Sequence, residues 1–260
     1  MSALAPWQMD AWRSLSSAVA SGRLHHALLF AAPAGLGKRA LVDALAMAAL
    51  CERRDAQGFA CGACRACALV AAGSHPDLVR VGLELRDDGK QRTEITIDQM
   101  RGLSQRLSMS SQFGGLQIAL VDPADRLNAS AANGLLKTLE EPAASTVIVL
   151  VADDASRLPA TIRSRCQRID LREPSRDEAL AWLRGQGLGA QQAAEALDAS
   201  LGNPGRALAW SADATLPLRE SCVKDLDALA RGRKSALELA AESGIDLPLS
   251  AEVKRIWQAT

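Results

Sequence analysis

Residues 29–39 read Leu-Phe-Ala-Ala-Pro-Ala-Gly-Leu-Gly-Lys-Arg, and the fold turns on how this stretch is understood. A working P-loop has the form G-x-x-x-x-G-K-[ST]. Its glycines let backbone N–H groups face the phosphates, its lysine reaches the β- and γ-phosphates, and its hydroxyl residue ligates magnesium. Gly35, Gly37 and Lys38 fit that pattern, whereas Ala32 replaces the first glycine and Arg39 replaces the hydroxyl residue. A guanidinium at the metal-ligand position is a poor neighbour for Mg²⁺, which takes oxygen ligands. The flanks have the right character. Residues 26–30 (HALLF) predict a short buried strand, and residues 38–50 (KRALVDALAMAAL) predict a helix that is apolar on nearly every face. The loop alone is equally compatible with an ordinary glycine-rich turn.

The rest of the chain extends the strand–loop–helix unit. Apolar or β-branched runs at 78–81, 116–121, 146–151 and 167–171 predict strands, with the 146–151 strand central. Helical periodicity separates them at about 99–109, with Asp98 as its N-cap, and at 129–141, capped by Asn128 and closed by Pro142. Residues up to Gly22 predict an amphipathic helix with Trp7, Trp12, Leu15 and Val19 on one side. This alternation predicts an α/β fold, a P-loop-type parallel sheet with helices on both faces.

Composition narrows the class. Thirty basic and thirty acidic residues cancel, so no bulk charge draws the chain to nucleic acid or membrane, and a hydrophobic content of 48% supports a substantial core. The longest apolar run, 147–152, is too short to cross a bilayer, and the N-terminus lacks the continuous apolar centre of a signal sequence. The expected setting is the cytoplasm, where clustered thiols hold metal more often than they pair as disulfides. Four of the six cysteines lie in one insertion: Cys51, Cys61, Cys64 and Cys67, a C-x₉-C-x₂-C-x₂-C pattern. This suits a closed tetrahedral thiolate site with Zn²⁺ as occupant and no open position for catalysis. An iron–sulfur cluster and a redox-active C-x-x-C are the alternatives. His75 reads as a turn residue, not a fifth ligand.

A second site feature follows the 116–121 strand. Asp122 stands where a P-loop ATPase holds its metal, but Pro123 occupies the next position, where many such enzymes place a water-activating glutamate. Asp125 is expected to cap the following turn.

The segments Leu-Leu-Lys-Thr-Leu-Glu-Glu-Pro at 135–142 and Ser164-Arg165-Cys166, together with the altered P-loop and the cysteine insertion, resemble the bacterial DNA polymerase III clamp loader family of the AAA+ superfamily. Arg39 and Pro123 make the chain resemble its delta-prime branch more than the ATP-hydrolysing tau/gamma branch. The resemblance runs from about residue 24 to 210. It implies an AAA+ fold without hydrolysis of its own and without productive ATP. It also implies membership of a pentameric ring with tau/gamma and delta subunits, within a DNA-directed DNA polymerase complex that loads a sliding clamp on primed DNA. By the same resemblance the four cysteines match zinc ligands. Arg165 matches an arginine finger that enters a neighbour's ATP site, with Ser164 and Cys166 positioning it. The Gly-Asn-Pro-Gly-Arg stretch at 202–206 matches a sensor region in which Gly205 takes the arginine's register, leaving the role of Arg206 open.

Three parts are expected: an α/β core over 1–171 with the zinc module at 51–67, a helical lid over 172–210, and a helical collar segment over 211–260. Lid helices are expected near 175–185, 191–200 and 204–210, and collar helices near 218–231, 234–243 and 251–257. The last part is shorter than an independent domain of about 60 residues, so the expectation is a truncated or reduced collar. Two other functions fit less of the sequence: an active P-loop ATPase, and a zinc-stabilised DNA-binding module resting on Arg53, Arg54 and Arg65, which Glu52 and Asp55 offset.

Overall fold

The computed structural model describes residues 4–86, 88–213, 215–235 and 238. The apolar runs form five strands: β1 (Ala27–Ala31), β2 (Leu78–Val81), β3 (Gln117–Val121), β4 (Thr146–Ala152) and β5 (Gln167–Ile169). All pairings are parallel, in the order β2-β3-β4-β1-β5, so the β-branched strand β4 lies at the centre. Each of β1, β3 and β4 is buried along its whole length, as a strand covered on both faces must be.

Side-chain alternation along these strands creates two cores. Leu28, Phe30, Ile118, Leu120, Val147 and Val149 face α1 (Met9–Ala20) and α2 (Lys38–Leu50), meeting Trp12, Leu15, Leu41 and Leu45. Ala27, Leu29, Ala119, Val121, Ile148 and Leu150 face the other way. They meet Met100, Leu103 and Leu107 of α4 (Ile97–Leu107) and Leu135 and Leu139 of α5 (Ala129–Glu140). Burying each leucine, isoleucine, valine or phenylalanine side chain among these contributes about 1.5–3 kcal/mol, which makes this double-faced sheet the rigid body on which the loops stand.

Local signals mostly place the helix ends. Asn128 accepts from the Ala131 amide at 2.8 Å and starts α5, and Ser175 with Glu178 forms a capping box at the start of α7 (Arg176–Gly185). Two expectations need correction. The N-cap of α4 is Thr96, not Asp98, because Gln99 reaches back to the Thr96 amide at 2.9 Å and completes a capping box. Asp125 does not cap its turn: its Oδ2 accepts from the Asp154 amide at 3.3 Å, across to the segment after β4. The short helices α3 (Arg65–Ala71) and α6 (Ala160–Arg163) were not expected.

The chain divides into two compact units, Met1–Arg206 and Ala207–Thr260. The first contains the sheet, α1 to α7 and α8 (Ala190–Ala199), and α9 (Pro204–Ala212) begins within it. The second, among the described residues, contains the remainder of α9 and α10 (Thr215–Ala230). The helices expected over 234–243 and 251–257 fall outside the described residues, apart from positions 234, 235 and 238. No described helix is long and apolar enough to cross a membrane.

Candidate functional site

The P-loop leaves the C-terminal end of β1 and enters α2 through Gly37, whose φ of +82° only glycine adopts without strain. Lys38 begins the helix with its side chain 2% exposed. Its Nζ donates to the Ala32 carbonyl at 2.7 Å and to Oδ1 of Asp153, which follows β4. Arg39 points to the neighbouring strand end and grips Asp122 with two bonds, Nε to Oδ2 at 2.7 Å and a terminal nitrogen to Oδ1 at 2.8 Å. Its other terminal nitrogen lies 3.5 Å from Asp153. Two cations and two carboxylates thus neutralise one another where a nucleotide and its metal would need Lys38 and Asp122 free.

Electrostatics follows from this geometry. Burial pushes the Asp153 carboxyl up, but the hydrogen bond and charge of Lys38, with Arg39 adding to both, hold it below its ordinary value. The Asp122 hydrogen bond and charge hold the Arg39 guanidinium above its own. Asp122 and Pro123 are joined by a cis peptide bond.

The loop is also covered by its own chain. Five of its carbonyls accept hydrogen bonds: Ala32 from Lys38, Ala34 from Asn203 Nδ2 at 2.8 Å, Gly35 from the Gly205 amide at 3.1 Å, Leu36 from Trp7 Nε1 at 3.0 Å, and Gly37 from Gln8 Nε2 at 2.6 Å. Gly35 and Gly205 approach so closely that a Cβ on Gly205 would collide with the Gly35 backbone. Trp7 packs edge-on against Trp182 of α7, ring centroids 5.4 Å apart. Beside the loop a cleft of about 300 Å³ remains, bordered by Trp7, Gln8, Lys38, Arg39 and Trp182, at the lower end of the range for ligand pockets.

Asp153, Trp7, Gln8 and Asn203 had no assigned place in the site from sequence. Asp153 lies 115 residues from its lysine, and the only available signal was its position after the most β-branched strand.

The cysteine insertion builds a separate site. The Sγ atoms of Cys51, Cys61, Cys64 and Cys67 all lie within 4.8 Å of one another. Cys51 and Cys61 are 3.6 Å apart and Cys51 and Cys64 3.9 Å, close to the edge of about 3.8 Å that four sulfurs at ~2.3 Å from one ion define. Backbone amides support the donors: Cys61 N and Arg53 N point at Cys51 Sγ, and Cys67 N at Cys64 Sγ. The Cys67 amide bond is the main cause that lowers the Cys64 thiol to about 6, while burial pushes Cys67 up to about 12. The donor set fits a metal ion held by four thiolates. Cys166 stands apart, its thiol pushed up to about 11 by burial. His75 is a buried turn residue whose Nδ1 accepts from the Asp77 amide at 3.1 Å.

Arg165 lies at the opposite end of the strands from the P-loop. Gln167 pairs with Leu28 at the entry end of β1, and Arg165 sits two residues before it, whereas the P-loop follows the exit end. Its guanidinium donates to the Thr161 carbonyl at 2.9 Å and meets Glu140, in the last turn of α5, at 2.6 Å. Ser164 Oγ donates to the Thr161 carbonyl at 3.1 Å.

The family described as "DNA polymerase III, delta subunit" matches residues 7–175. The DNA polymerase III subunit delta' of Pseudomonas aeruginosa is 41% identical over 185 residues, covering 70% of this chain and 53% of the relative. That of Haemophilus influenzae is 36% identical over 241 residues, covering 92% and 71%, and that of Escherichia coli 38% over 218 residues, covering 81% and 64%. The chain thus spans between about half and seven-tenths of the length of these curated relatives. A DNA polymerase III gamma subunit-related protein from Thermotoga maritima overlays with a TM-score of 0.46 at 20% identity, covering 72% of this chain and 57% of that one. The same organism's RuvB Holliday junction branch migration motor overlays with a TM-score of 0.48 at 14% identity, covering 79% and 59%. With the parallel sheet, the altered P-loop and the four-cysteine insertion in place, the chain belongs to the DNA polymerase III delta-prime family.

Proposed function

We propose that this chain is a non-hydrolysing subunit of the DNA polymerase III clamp loader, acting beside tau/gamma and delta subunits on a sliding clamp and primed DNA. The observation that carries the reading is the internal neutralisation of the P-loop: Lys38 is committed to Asp153 and Arg39 to Asp122. A nucleotide would have to displace both pairs, and with Pro123 in the next position no carboxylate follows Asp122 to activate water. The E. coli DNA polymerase III subunit tau is 31% identical over 159 residues, which supports a shared assembly. The three-part division at 171 and 210 belongs to the same reading, as does Zn²⁺ on Cys51, Cys61, Cys64 and Cys67, where it would hold the insertion's shape.

In this role Arg165 acts on ATP held by an adjacent subunit, stabilising charge that develops on the γ-phosphate. Its pair with Glu140 is partly exposed, and such pairs contribute only about 0–1 kcal/mol, so a triphosphate can compete for the guanidinium at little cost. The test is a complex reconstituted with Arg165→Ala. ATPase activity of the assembly should fall at least about tenfold, given that fingers contribute ~10³–10⁵ in favourable cases, and Lys should rescue poorly because it lacks the planar fork. Wild-type turnover would remove the finger assignment. The cleft beside Lys38 favours the competing ATPase reading, and Mg²⁺-dependent turnover by the isolated chain, abolished by Lys38→Ala, would establish it.

A further inference from the structure

The stretch between the first two cysteines is a closed hairpin with a docking surface. Arg54 and Ala60 form an antiparallel bridge, and Asp55 shapes the tip by accepting from the amides of Gln57 at 2.9 Å and Phe59 at 2.8 Å. The tip sits on α1. The Trp12 ring stacks on Phe59 with centroids 4.3 Å apart and planes 12° from parallel, and Trp12 Nε1 donates to the Gln57 carbonyl at 3.1 Å. Gly58, at φ +83°, comes so near Ser16 that a Cβ on it would lie 2.6 Å from the Ser16 Cβ. The same helix α1 follows directly on the turn Pro6–Gln8, whose Trp7 and Gln8 donate to the Leu36 and Gly37 carbonyls of the P-loop.

We infer that the four-cysteine module anchors α1 and so holds the N-terminal cover on the P-loop, making closure of the loop dependent on metal at the cysteines. The inference rests on the reading of those cysteines as a metal site. Cys51 and Cys61 are the two feet of the hairpin, and a hairpin of this size has no core of its own. Fixing both feet to one ion sets the register in which Gln57 and Phe59 meet Trp12. Freed feet lose that register, and α1 loses the stacking partner and the hydrogen-bond acceptor that the tip gives Trp12. The connection runs through packed elements that touch at every step, and it counts as coupling only if a change at one end moves the other.

Amide hydrogen exchange on the full chain measures this. With the metal removed by chelation, and in Cys64→Ser, amides of residues 5–20 and the Trp7 indole N–H, which donates to the Leu36 carbonyl, should exchange at least about tenfold faster, since local opening is what exchange reports. Amides of β3 and β4 should keep their protection, and zinc added back to the chelated chain should reverse the change. Gly58→Ala should retain one zinc by elemental analysis yet raise exchange across residues 5–20, because the added Cβ pushes the tip off Ser16. Faster exchange confined to residues 51–67 would overturn the inference while leaving the metal reading intact. A uniform rise that includes β3 and β4 would overturn it as global unfolding. A purified chain that neither contains nor takes up zinc would overturn the metal reading and the inference with it.

Discussion

The P-loop and the cysteine module sit at opposite ends of α2, and they treat their polar groups in opposite ways. At the P-loop each charged group faces an opposite charge from the same chain, and five carbonyls accept from neighbouring elements. At the module four sulfur donors face one another. A site whose charges cancel internally has little left to offer a ligand. A site of converging like donors, which repel once deprotonated, is stabilised by a cation. A retained motif therefore need not mean a retained ligand: what counts is whether the motif's groups are already spent.

The sharpest way to break this contrast is metal content. One zinc per chain is expected, lost in Cys64→Ser and kept in Cys166→Ser, as read by elemental analysis; the reverse pattern would show that the ligands were wrongly chosen. Next in size is Asp153→Ala, which leaves the Lys38 ammonium buried without its carboxylate and should cost about 3 kcal/mol in denaturant unfolding. Adding Lys38→Met to that variant should recover much of the loss, because it removes the buried charge left without its partner. The pair also sets an acid limit. Because Asp153 is held below its ordinary 3.8 in the folded chain, its contribution is complete above that pH and fades as pH falls further. Asp153→Ala should lose this component of acid sensitivity.

Smaller effects probe the cover. Gly205→Ala should destabilise by about 1–3 kcal/mol, the usual cost of forcing a methyl into a packed contact. Arg39→Ser should shift unfolding by no more than about 1 kcal/mol, since its pair with Asp122 is half-exposed. It should also fail to bring ATP turnover, because the lysine stays paired and the cover stays in place. Turnover in Arg39→Ser would mean that the missing hydroxyl was the decisive defect, and would erase the distinction between the two sites.

Much of this was legible in the sequence because the signals were local. The x₂ spacing of cysteines, the β-branched run of β4, the cap Asn128, and the glycines of the loop each act within a few residues. The spacing of Cys51, Cys61, Cys64 and Cys67 is enough to predict the one cluster they form. The closure of the P-loop was not legible, because it depends on Asp153, Trp7, Gln8 and Asn203, which lie between 29 and 169 residues from their partners. Trp7 carried an apolar signal that placed it on the side of a helix with Trp12. Its indole N–H instead serves a carbonyl from a short turn preceding that helix. The sequence does not separate Thr96 from Asp98 as the cap, because two residues apart they offer the same chemistry, and only the reach of Gln99 decides between them.

The contact of Asn203 with Ala34, 169 residues upstream, also bears on how the molecule is made. At a synthesis rate of about 5–20 residues per second, roughly 10–30 s separate the emergence of the two. Trp7 and Gln8 leave the ribosome before the loop does, so half of its cover is present from the start, while the Asn203 and Gly205 half arrives only after all five strands have been made. During that interval the Ala34 and Gly35 carbonyls are hydrated, and the nascent chain carries a half-covered P-loop that the finished protein does not retain.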